Sequence, residues 1–250
     1  MKENEMIFGT RAIIEAIRAG KEIDKILLKK SFQGELSHEL FQLVKNTNIP
    51  LQRVPQEKLD RLTRKNHQGA IAFISAVTYQ TIEAIVPGIY EAGKDPFLVL
   101  LDGITDVRNF GAIARSCECA GVDALVIPSH NSVSVNADAI KTSAGALHSL
   151  PVCKESSIRN AIRFLKDSGI KVVAATEKAA QEYTAVDYCV PVAFVLGSED
   201  LGIAAEHLRQ CDELVRIPVA GTIASLNVSA ATAVLVYEVV RQRSAILPHR

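Results

Sequence analysis

The stretch VAFVLGSEDLG, residues 192–202, joins an apolar run to an acidic turn bounded by glycines. The run Val192–Leu196 predicts a buried β-strand, and Gly197, Ser198 and Glu199 follow at the point where that strand ends. Open α/β sheets collect their ligand-binding loops at the carboxyl ends of the strands. The stretch therefore predicts a parallel sheet and one loop of a functional site.

Two other segments have the same design. The segment NFGAIAR, Asn109–Arg115, follows the apolar run Phe97–Leu101, and the segment SLNVSA, Ser225–Ala230, follows the apolar run Leu214–Ile217. Each segment places amide or hydroxyl groups between a strand and a helical pattern. Because the carboxyl ends of parallel strands lie at one edge of a sheet, we expect the three segments to form one site.

Apolar runs alternate with helix-length segments through the second part of the chain, which predicts a parallel sheet covered on both faces. The predicted strands are Phe97–Leu101, Ala124–Ile127, Lys171–Ala175, Val192–Leu196 and Leu214–Ile217. The predicted helices span residues 111–120, 137–147, 158–168, 204–211 and 228–243, with the first of them starting near Asn109.

The N-terminal part predicts a small α/β domain over residues 1–76. Helical patterns over 10–19 and 36–46 alternate there with strand patterns over 26–28 and 71–77. Turn and breaker signals then predict a linker over residues 77–96, because this stretch contains Pro87-Gly88, Gly93 and Asp95-Pro96. The second domain is accordingly expected to span residues 97–250.

Composition limits the class of protein. A chain of 250 residues that is 48% hydrophobic has enough apolar material for a packed core. Its 28 Lys and Arg residues balance 28 Asp and Glu residues, which argues against a protein that coats nucleic acid through excess positive charge. Residues 1–76 hold 13 basic against 9 acidic residues, so we expect a polyanion to prefer this part.

Several further sequence features describe the environment of the protein. The longest apolar runs are too short to cross a bilayer, and the charged N-terminus lacks a signal-peptide pattern, so we expect a cytoplasmic protein without a membrane partner. The five cysteines form no C-x-x-C pair and no zinc-ligand spacing with the histidines, which predicts reduced, mostly buried thiols and no metal site. A G-x-G-x-x-G fingerprint is missing after every predicted strand, which argues against a nicotinamide enzyme.

Each of the three segments also has a simpler interpretation. Asn109 could cap a helix and Arg115 could be a surface residue, while Glu199 is well placed near a helix N-terminus. Ser225 or Asn227 could cap the terminal helix. Capping and catalysis are compatible, because the unpaired N–H groups of a helix N-terminus favour a developing negative charge.

In order and spacing, Asn109–Arg115, Leu196–Gly202 and Ile217–Ala230 resemble the three signature motifs of the SpoU/TrmH branch of the SPOUT RNA methyltransferases. The resemblance covers nearly all of residues 97–243. The N-terminal part, including Phe8–Ala12 and His67–Gly69, is similar to the substrate-binding domain of the RlmB-like 23S rRNA guanosine 2'-O-methyltransferases. The resemblance implies an α/β fold, in which a trefoil-knotted parallel-sheet methyltransferase domain follows a small α/β substrate-binding domain.

The same resemblance implies methylation of a ribose 2'-hydroxyl with S-adenosyl-L-methionine as cofactor, acting on a guanosine of large-subunit ribosomal RNA, by a homodimer. The implied catalytic residues are Asn109, Arg115, Glu199, Ser225 and Asn227. The implied cofactor-binding residues are Leu196, Gly197, Ile217, Leu226 and Ser229. Because an arginine stays protonated in proteins, we expect Arg115 to hold a phosphate and stabilise oxyanion charge rather than accept a proton.

Arg61, Arg64, Lys65 and His67 are the candidate RNA contacts of the N-terminal domain, and an ordinary charged turn is the alternative interpretation. Two other functions remain open at this point. The chain could be a tRNA ribose methyltransferase of the same branch, although the separate N-terminal domain argues against this, or a non-catalytic RNA-binding assembly factor. Members of the branch that act on the thiostrepton site of ribosomal RNA share much of the same layout.

Overall fold

The computed structural model describes residues 6–45, 47 and 49–246. The chain forms two compact units, of which the first holds the residues up to Thr78 together with Ser134–Ala137. The second unit holds Tyr79–Val133 and the chain from Asp138 onward. The outer ends of the two predicted domains, residues 1–5 and 247–250, and the predicted helix end at Asn46 lie outside the described residues.

The first unit is a four-stranded sheet with helices on both faces. Its elements are β1 (Met6–Phe8), α1 (Thr10–Arg18), β2 (Ile23–Lys29), α2 (Glu35–Val44), β3 (Leu51–Val54), α3 (Gln56–Leu62) and β4 (Ala70–Ile74). The strand order is β1-β4-β2-β3, in which only β2 and β3 run parallel. The predicted small α/β domain is present, and the short β1, β3 and α3 are additions to the prediction.

The alternating direction of the side chains along β2 explains why both faces of this sheet are covered by apolar clusters. Ile26 and Leu28 pack in one apolar cluster with residues of α1 and α2, whereas Leu27 packs in another with Leu59 of α3. Successive side chains of a strand point to opposite faces, so one strand contributes to both clusters. The continuous apolar run Ile26–Leu28 within β2 follows from this burial on both sides.

The second unit is built on an eight-stranded sheet in which every neighbouring pair is parallel. The strands are β5 (Tyr79–Gln80), β6 (Phe97–Asp102), β7 (Ala124–Pro128), β8 (Val152–Glu155), β9 (Lys171–Ala175), β10 (Gln181–Glu182), β11 (Val192–Gly197) and β12 (Glu213–Arg216). Their order is β10-β12-β9-β11-β6-β7-β8-β5. The helices are α4 (Ile82–Glu91), α5 (Val107–Cys119), α6 (Ala137–Thr142), α7 (Ile158–Asp167), α8 (Ala205–Leu208) and α9 (Val228–Ile246).

Residues 77–96, which were expected to form a linker, are instead largely folded. The strand β5 pairs with β8, and α4 buries Ile82 and Val86 in the core of the second unit. The backbone N–H of Ile82 donates to the Glu155 carboxylate at 2.9 Å. The linker prediction was wrong because this tertiary packing offsets the low helix propensity of the Pro87-Gly88 pair.

The predicted helix 137–147 is interrupted. The helix α6 ends at Thr142 and a short 3-10 helix follows at Ala146–His148, because Ala144 and Gly145 adopt left-handed backbone angles with φ of 51° and 89°. The next strand, β8, was missed because it contains Lys154 and Glu155, which are buried despite their charge. The pattern of apolar residues alone reveals neither the interruption of the helix nor the strand β8.

The helix α5 starts two residues earlier than predicted. Asp106 caps it by accepting hydrogen bonds from the backbone N–H groups of Arg108 and Asn109, each at 2.8 Å, so Asn109 is not the cap. A Cβ atom on Gly111 would lie 2.0 Å from Oγ1 of Thr142. Glycine therefore permits α5 to approach the C-terminal end of α6 this closely.

The five cysteines differ in their burial. Cys117 and Cys153 are buried, Cys119 is exposed, and Cys189 and Cys211 lie between these limits, so the expectation of mostly buried thiols holds for two of the five. Burial raises the pKa of Cys153 to about 12. Within the described residues, no group of three His, Cys, Asp or Glu side chains forms a metal site, and no helix has the length and apolarity needed to cross a membrane.

Arg243, near the end of α9, connects several loops of the second unit. Its guanidinium donates to the carbonyl oxygens of Val190 at 2.9 Å and Tyr188 at 3.1 Å, and it lies 5.3 Å from the centre of the Phe97 ring. Burial lowers the pKa of Arg243. A planar group with several fixed donors is suited to such a position, and the single ammonium of a lysine is not.

We predict that Arg243→Lys destabilises the protein by about 2 kcal/mol, because lysine cannot reach both carbonyl groups and leaves one of them without its donor. Urea unfolding followed by circular dichroism measures the change. Arg163→Lys, at an exposed arginine on α7, is the matched control and is expected to change stability by less than about 0.5 kcal/mol. Equal stabilities of the two variants would contradict this role of Arg243.

Candidate functional site

The first two predicted segments start at the same edge of the large sheet. The strands β6 and β11 are neighbours, and their register pairs Leu101 with Leu196 and Asp102 with Gly197. The two strands therefore end at the same level of the sheet. The backbone continues from β6 into the loop before α5 and from β11 into the loop 197–204. The third segment precedes α9, which packs against α5.

Side chains of all three segments meet in one polar cluster, formed by Asn109, Glu199 and Asn227. The Asn227 amide nitrogen donates to Oδ1 of Asn109 at 3.0 Å. It also donates to Oε1 of Glu199. A side-chain amide has two N–H groups, so these two contacts use its full donor capacity. The predicted convergence is confirmed for these three residues.

Asn227 also caps α9. Its Oδ1 accepts hydrogen bonds from the backbone N–H of Ser229 at 2.9 Å and from the Ser229 hydroxyl at 2.5 Å. The Glu199 carboxylate additionally accepts from the backbone N–H of Val228 at 3.4 Å. A carboxylate is stabilised by the partial positive charge at a helix N-terminus. The capping interpretation and the shared-site interpretation are therefore both correct for Asn227.

The loop after β11 folds back on its own strand. A Cβ atom on Gly197 would lie 2.1 Å from the carbonyl carbon of Gly202. Ser198 and Gly202 form an isolated antiparallel bridge, in which the Gly202 N–H donates to the Ser198 carbonyl at 2.8 Å. We expected Gly197 to permit close approach of a ligand, whereas the nearest group is the backbone of the same loop. Glycine is required here first for the closure of the loop.

Asp102 and His207 support this loop, and the sequence analysis missed both. One carboxylate oxygen of Asp102 accepts from the backbone N–H of Ala204 at 2.9 Å and lies 2.7 Å from Nδ1 of His207. Asp102 thereby fixes the end of the loop that Gly197 begins. The sequence feature that could have indicated Asp102 is its position at the end of a predicted strand. Its pairing with His207, 105 positions away, is visible only in the folded structure.

Arg115 is not part of the polar cluster. It is exposed on α5, in the third turn of the helix. Six residues separate it from Asn109, which places the two side chains about 120° apart around the helix axis. Its side chain therefore leaves α5 in a different direction from that of Asn109.

The remaining candidates of the second unit have different environments. Ser225 and Leu226 lie on the exposed segment before α9, and Ser225 makes no hydrogen bond to the other candidates within the described residues. Leu226 is 43% exposed, while the Leu196 side chain is buried in the core. Leu196 can therefore offer a ligand its backbone but not its side chain. Ile217, just after β12, is half-buried.

The candidate RNA contacts of the first unit are confirmed as surface residues with one exception. Arg61, Arg64 and Lys65 are exposed, and Lys65 lies 5.5 Å from the centre of the Phe8 ring. His67 is only 7% exposed. Its Nε2 lies 2.8 Å from the Asp60 carboxylate and its Nδ1 accepts from the Gly69 N–H at 3.0 Å. Both ring nitrogens of His67 hold the turn before β4, so His67 is not a surface residue like the other three candidates.

Comparisons with known proteins agree with this arrangement. Residues 96–237 match the SpoU rRNA Methylase family, and residues 6–80 match the family described as RNA 2'-O ribose methyltransferase substrate binding. The chain belongs to the SpoU methylase family. A TrmH family tRNA/rRNA methyltransferase from Staphylococcus saprophyticus is 34% identical over 244 residues, which cover 98% of each chain.

Solved structures of SpoU-type proteins have the same fold. The SpoU methyltransferase AviRb from Streptomyces viridochromogenes, in complex with the cofactor AdoMet, aligns with a TM-score of 0.61 at 22% identity, over 96% of this chain and 90% of AviRb. A structure described as an RNA 2'-O ribose methyltransferase aligns with a TM-score of 0.54 at 27% identity, over 96% of this chain and 88% of that one. The protein is thus an RNA methyltransferase of the SpoU/TrmH type with an N-terminal substrate-binding domain.

We predict that Gly197→Ala lowers the free energy of unfolding by at least about 2 kcal/mol, because the added methyl group meets backbone atoms that cannot move independently. The matched control is Gly221→Ala, since a Cβ atom there meets no atom within 4 Å. Thermal unfolding of both variants measures the difference. Equal midpoints for Gly197→Ala and the wild type would show that the loop is not closed as described.

Proposed function

We propose that this protein transfers a methyl group from S-adenosyl-L-methionine to a ribose 2'-hydroxyl of RNA, and that the target is a guanosine of large-subunit ribosomal RNA. The observation that carries the proposal is the meeting of Asn109, Glu199 and Asn227 from three distant segments. The match of residues 6–80 to the 2'-O ribose methyltransferase substrate-binding family supports the choice of a ribose hydroxyl.

The cofactor fits the loops at the carboxyl edge of the sheet. The strands β11, β9 and β12 are consecutive there, so the loops that follow Gly197 and Ile217 begin near one another. The loop that leads to α9 is exposed and carries apolar side chains, with Ile223 76% and Leu226 43% exposed. We assign the adenosine to this apolar loop and to the backbone near Ile217 and Leu226, and the methionine part to Leu196, Gly197 and the start of α9 at Ser229. When bound, the cofactor supplies an electrophilic methyl group on a sulfonium.

The residues of the cluster orient the reacting hydroxyl. A ribose hydroxyl is a weak nucleophile, so alignment and stabilisation of negative charge on its oxygen dominate the catalytic effect. Asn109 and Ser225 position this hydroxyl. Glu199, held by the Asn227 amide and the Val228 N–H, keeps the loop 197–204 in place beside the start of α9. Arg115 binds the adjacent phosphate and stabilises the oxyanion.

The active form is proposed to be a homodimer. Arg115 leaves α5 about 120° away from Asn109, so a guanidinium that serves the cluster is more easily supplied by a second copy of the chain. Tyr237 on α9 is 50% exposed and provides apolar contact area for such a copy. We also propose that the second unit contains the trefoil knot implied by the family resemblance. The proposed location is the cytoplasm.

The first unit is proposed to bind RNA. Arg61 and Arg64 are exposed at the end of α3 and just beyond it, and Lys65 lies against the Phe8 ring. On the same sheet, Lys25 lies 5.1 Å from the centre of the Phe73 ring. Basic groups next to aromatic rings suit single-stranded RNA, which offers phosphates and unstacked bases.

Transfer RNA is the second candidate substrate, because the curated relatives are described as tRNA/rRNA methyltransferases. The separate RNA-binding unit favours ribosomal RNA. A non-catalytic assembly factor is a weaker alternative, since such a protein has no need for an intact cluster of Asn109, Glu199 and Asn227.

Product analysis tests the proposed function. The full-length protein is incubated with radiolabelled S-adenosyl-L-methionine and unmodified 23S rRNA, 16S rRNA or tRNA, and the RNA is digested to nucleosides. We expect label in 2'-O-methylguanosine from 23S rRNA. The Arg115→Lys variant is expected to bind the cofactor normally and to transfer methyl groups at least about tenfold more slowly, because lysine lacks the planar fork of donors.

Label in a methylated base would contradict the assignment to the ribose hydroxyl. Label confined to tRNA would establish the second candidate substrate. Cofactor binding without transfer to any RNA would support the assembly-factor alternative, and unchanged rates for Arg115→Lys would remove the role given to the guanidinium.

A further inference from the structure

A cleft lies at the same edge of the large sheet. It is on the opposite side of β6 from the loops to which we assign the cofactor. Its volume is about 220 Å³. Residues at or just beyond the carboxyl ends of β6, β7 and β8 line it, together with His207 of α8. The volume is below the roughly 300–1,000 Å³ typical of pockets for drug-sized ligands, so the cleft suits a small group such as a single ring system.

The lining of the cleft is polar but carries little charge. It includes the imidazoles of His130 and His207, the amide of Asn131 and the hydroxyls of Ser156 and Ser157. No lysine or arginine is present among its lining residues in the described part of the chain. The one carboxylate, of Asp102, already interacts with His207 and with the Ala204 N–H. These features favour a neutral planar ligand over a phosphate.

Two of these side chains, His207 and Asn131, lie at different places in the lining. His207 is fixed by Asp102 at 2.7 Å, so its ring forms a rigid wall. Asn131 has a left-handed backbone conformation with φ of 53°, which asparagine tolerates well. Its amide nitrogen lies 3.5 Å from the position of a Cβ atom on Gly103, so the amide lies next to the loop that follows β6. An imidazole ring fixed by a carboxylate is suited to stacking on a base, and a side-chain amide is suited to hydrogen bonding with the edge of a base.

The cleft adjoins the proposed methyl-transfer site. A Cβ atom on Gly103 would lie 4.0 Å from Cβ of Ser198, so the loop after β6, which lines the cleft, lies against the loop 197–204. Asp102 belongs to both places, because it lines the cleft and fixes Ala204. A nucleotide bound in the cleft would therefore be a close neighbour of a nucleotide at the polar cluster.

We propose that this cleft binds one unstacked nucleobase of single-stranded RNA, adjacent to the nucleotide that is methylated, and so contributes to the choice of target. The inference rests on the proposed function for the identity of the polymer. Imidazole rings stack on unpaired bases, and amides hydrogen-bond to their edges, which is how proteins read single-stranded RNA.

Steady-state kinetics with 23S rRNA tests the role of Asn131. Asn131→Gly removes the side chain, whereas Asn131→Asp replaces the N–H donors of the amide with a second acceptor oxygen. Glycine and aspartate both tolerate the left-handed backbone conformation of this position. We expect both variants to raise KM for RNA about tenfold, which corresponds to the loss of one hydrogen bond, with kcat and cofactor affinity unchanged. The control variants are Asn160→Gly and Asn160→Asp, at an exposed asparagine on α7 outside the lining, which are expected to leave KM unchanged.

An increase of KM for Asn131→Asp alone would indicate charge repulsion and would overturn the proposal, as would unchanged KM in both variants. The side-chain resonances of His130 and His207 provide a second readout that does not depend on catalysis. We expect guanosine, adenosine, cytidine or uridine monophosphate at millimolar concentration to shift these resonances, and ribose 5-phosphate and inorganic phosphate to leave them unchanged.

Equal shifts with inorganic phosphate would identify an anion site instead of a base site, and shifts with S-adenosyl-L-methionine alone would assign the cleft to the cofactor. These outcomes are separate from those of the proposed function. A wild-type protein that transfers no methyl group but responds to nucleoside monophosphates would refute the methyltransferase assignment and keep the base-binding cleft.

Discussion

The Asn227 side-chain amide is the contact on which the candidate active site depends. It donates to Asn109 and to Glu199 while its oxygen caps α9 through Ser229. Three segments separated by up to 118 positions are thereby held together by one planar group. An aspartate in this place would keep the cap but would set a carboxylate against Glu199, so the amide is specifically required.

Two close backbone approaches allow that contact to form. Gly111 lets α5 lie against the C-terminal end of α6, and Gly197 lets the loop 197–204 fold back on β11. Asp102 fixes the far end of this loop, and Arg243 anchors the C-terminal end of α9. The functional groups lie on loops and at helix starts near the surface, but the elements that carry them are fixed by the packed core.

The sequence was sufficient for the parallel sheet and for the convergence of the three segments. Continuous apolar runs such as Val192–Leu196 mark strands buried on both faces, and strand ends in such a sheet share an edge. The failures have a common physical origin in tertiary contacts that a local pattern does not contain. Residues 77–96 fold because α4 packs on the core, and β8 tolerates Lys154 and Glu155 because their polar atoms are satisfied after burial.

The unexpected environments of single candidate residues have the same cause. His67 looked like part of a basic surface, but Asp60 and the Gly69 N–H occupy both of its ring nitrogens. Arg115 is separated from the polar cluster, because it leaves α5 about 120° away from Asn109 around the helix axis. The pairing of Asp102 with His207 joins residues that no sequence spacing connects.

A double-mutant cycle on Asn109 and Asn227 tests the central claim most directly. The free energy of unfolding is measured by urea titration for Asn109→Ala, Asn227→Ala and the double variant, so that the loss of the α9 cap by Asn227→Ala cancels in the cycle. The account predicts a coupling energy of at least about 0.5 kcal/mol, and additive behaviour for the control pair Asn160→Ala and Asn227→Ala. Additive effects of Asn109→Ala and Asn227→Ala would contradict the claim that these segments form one site.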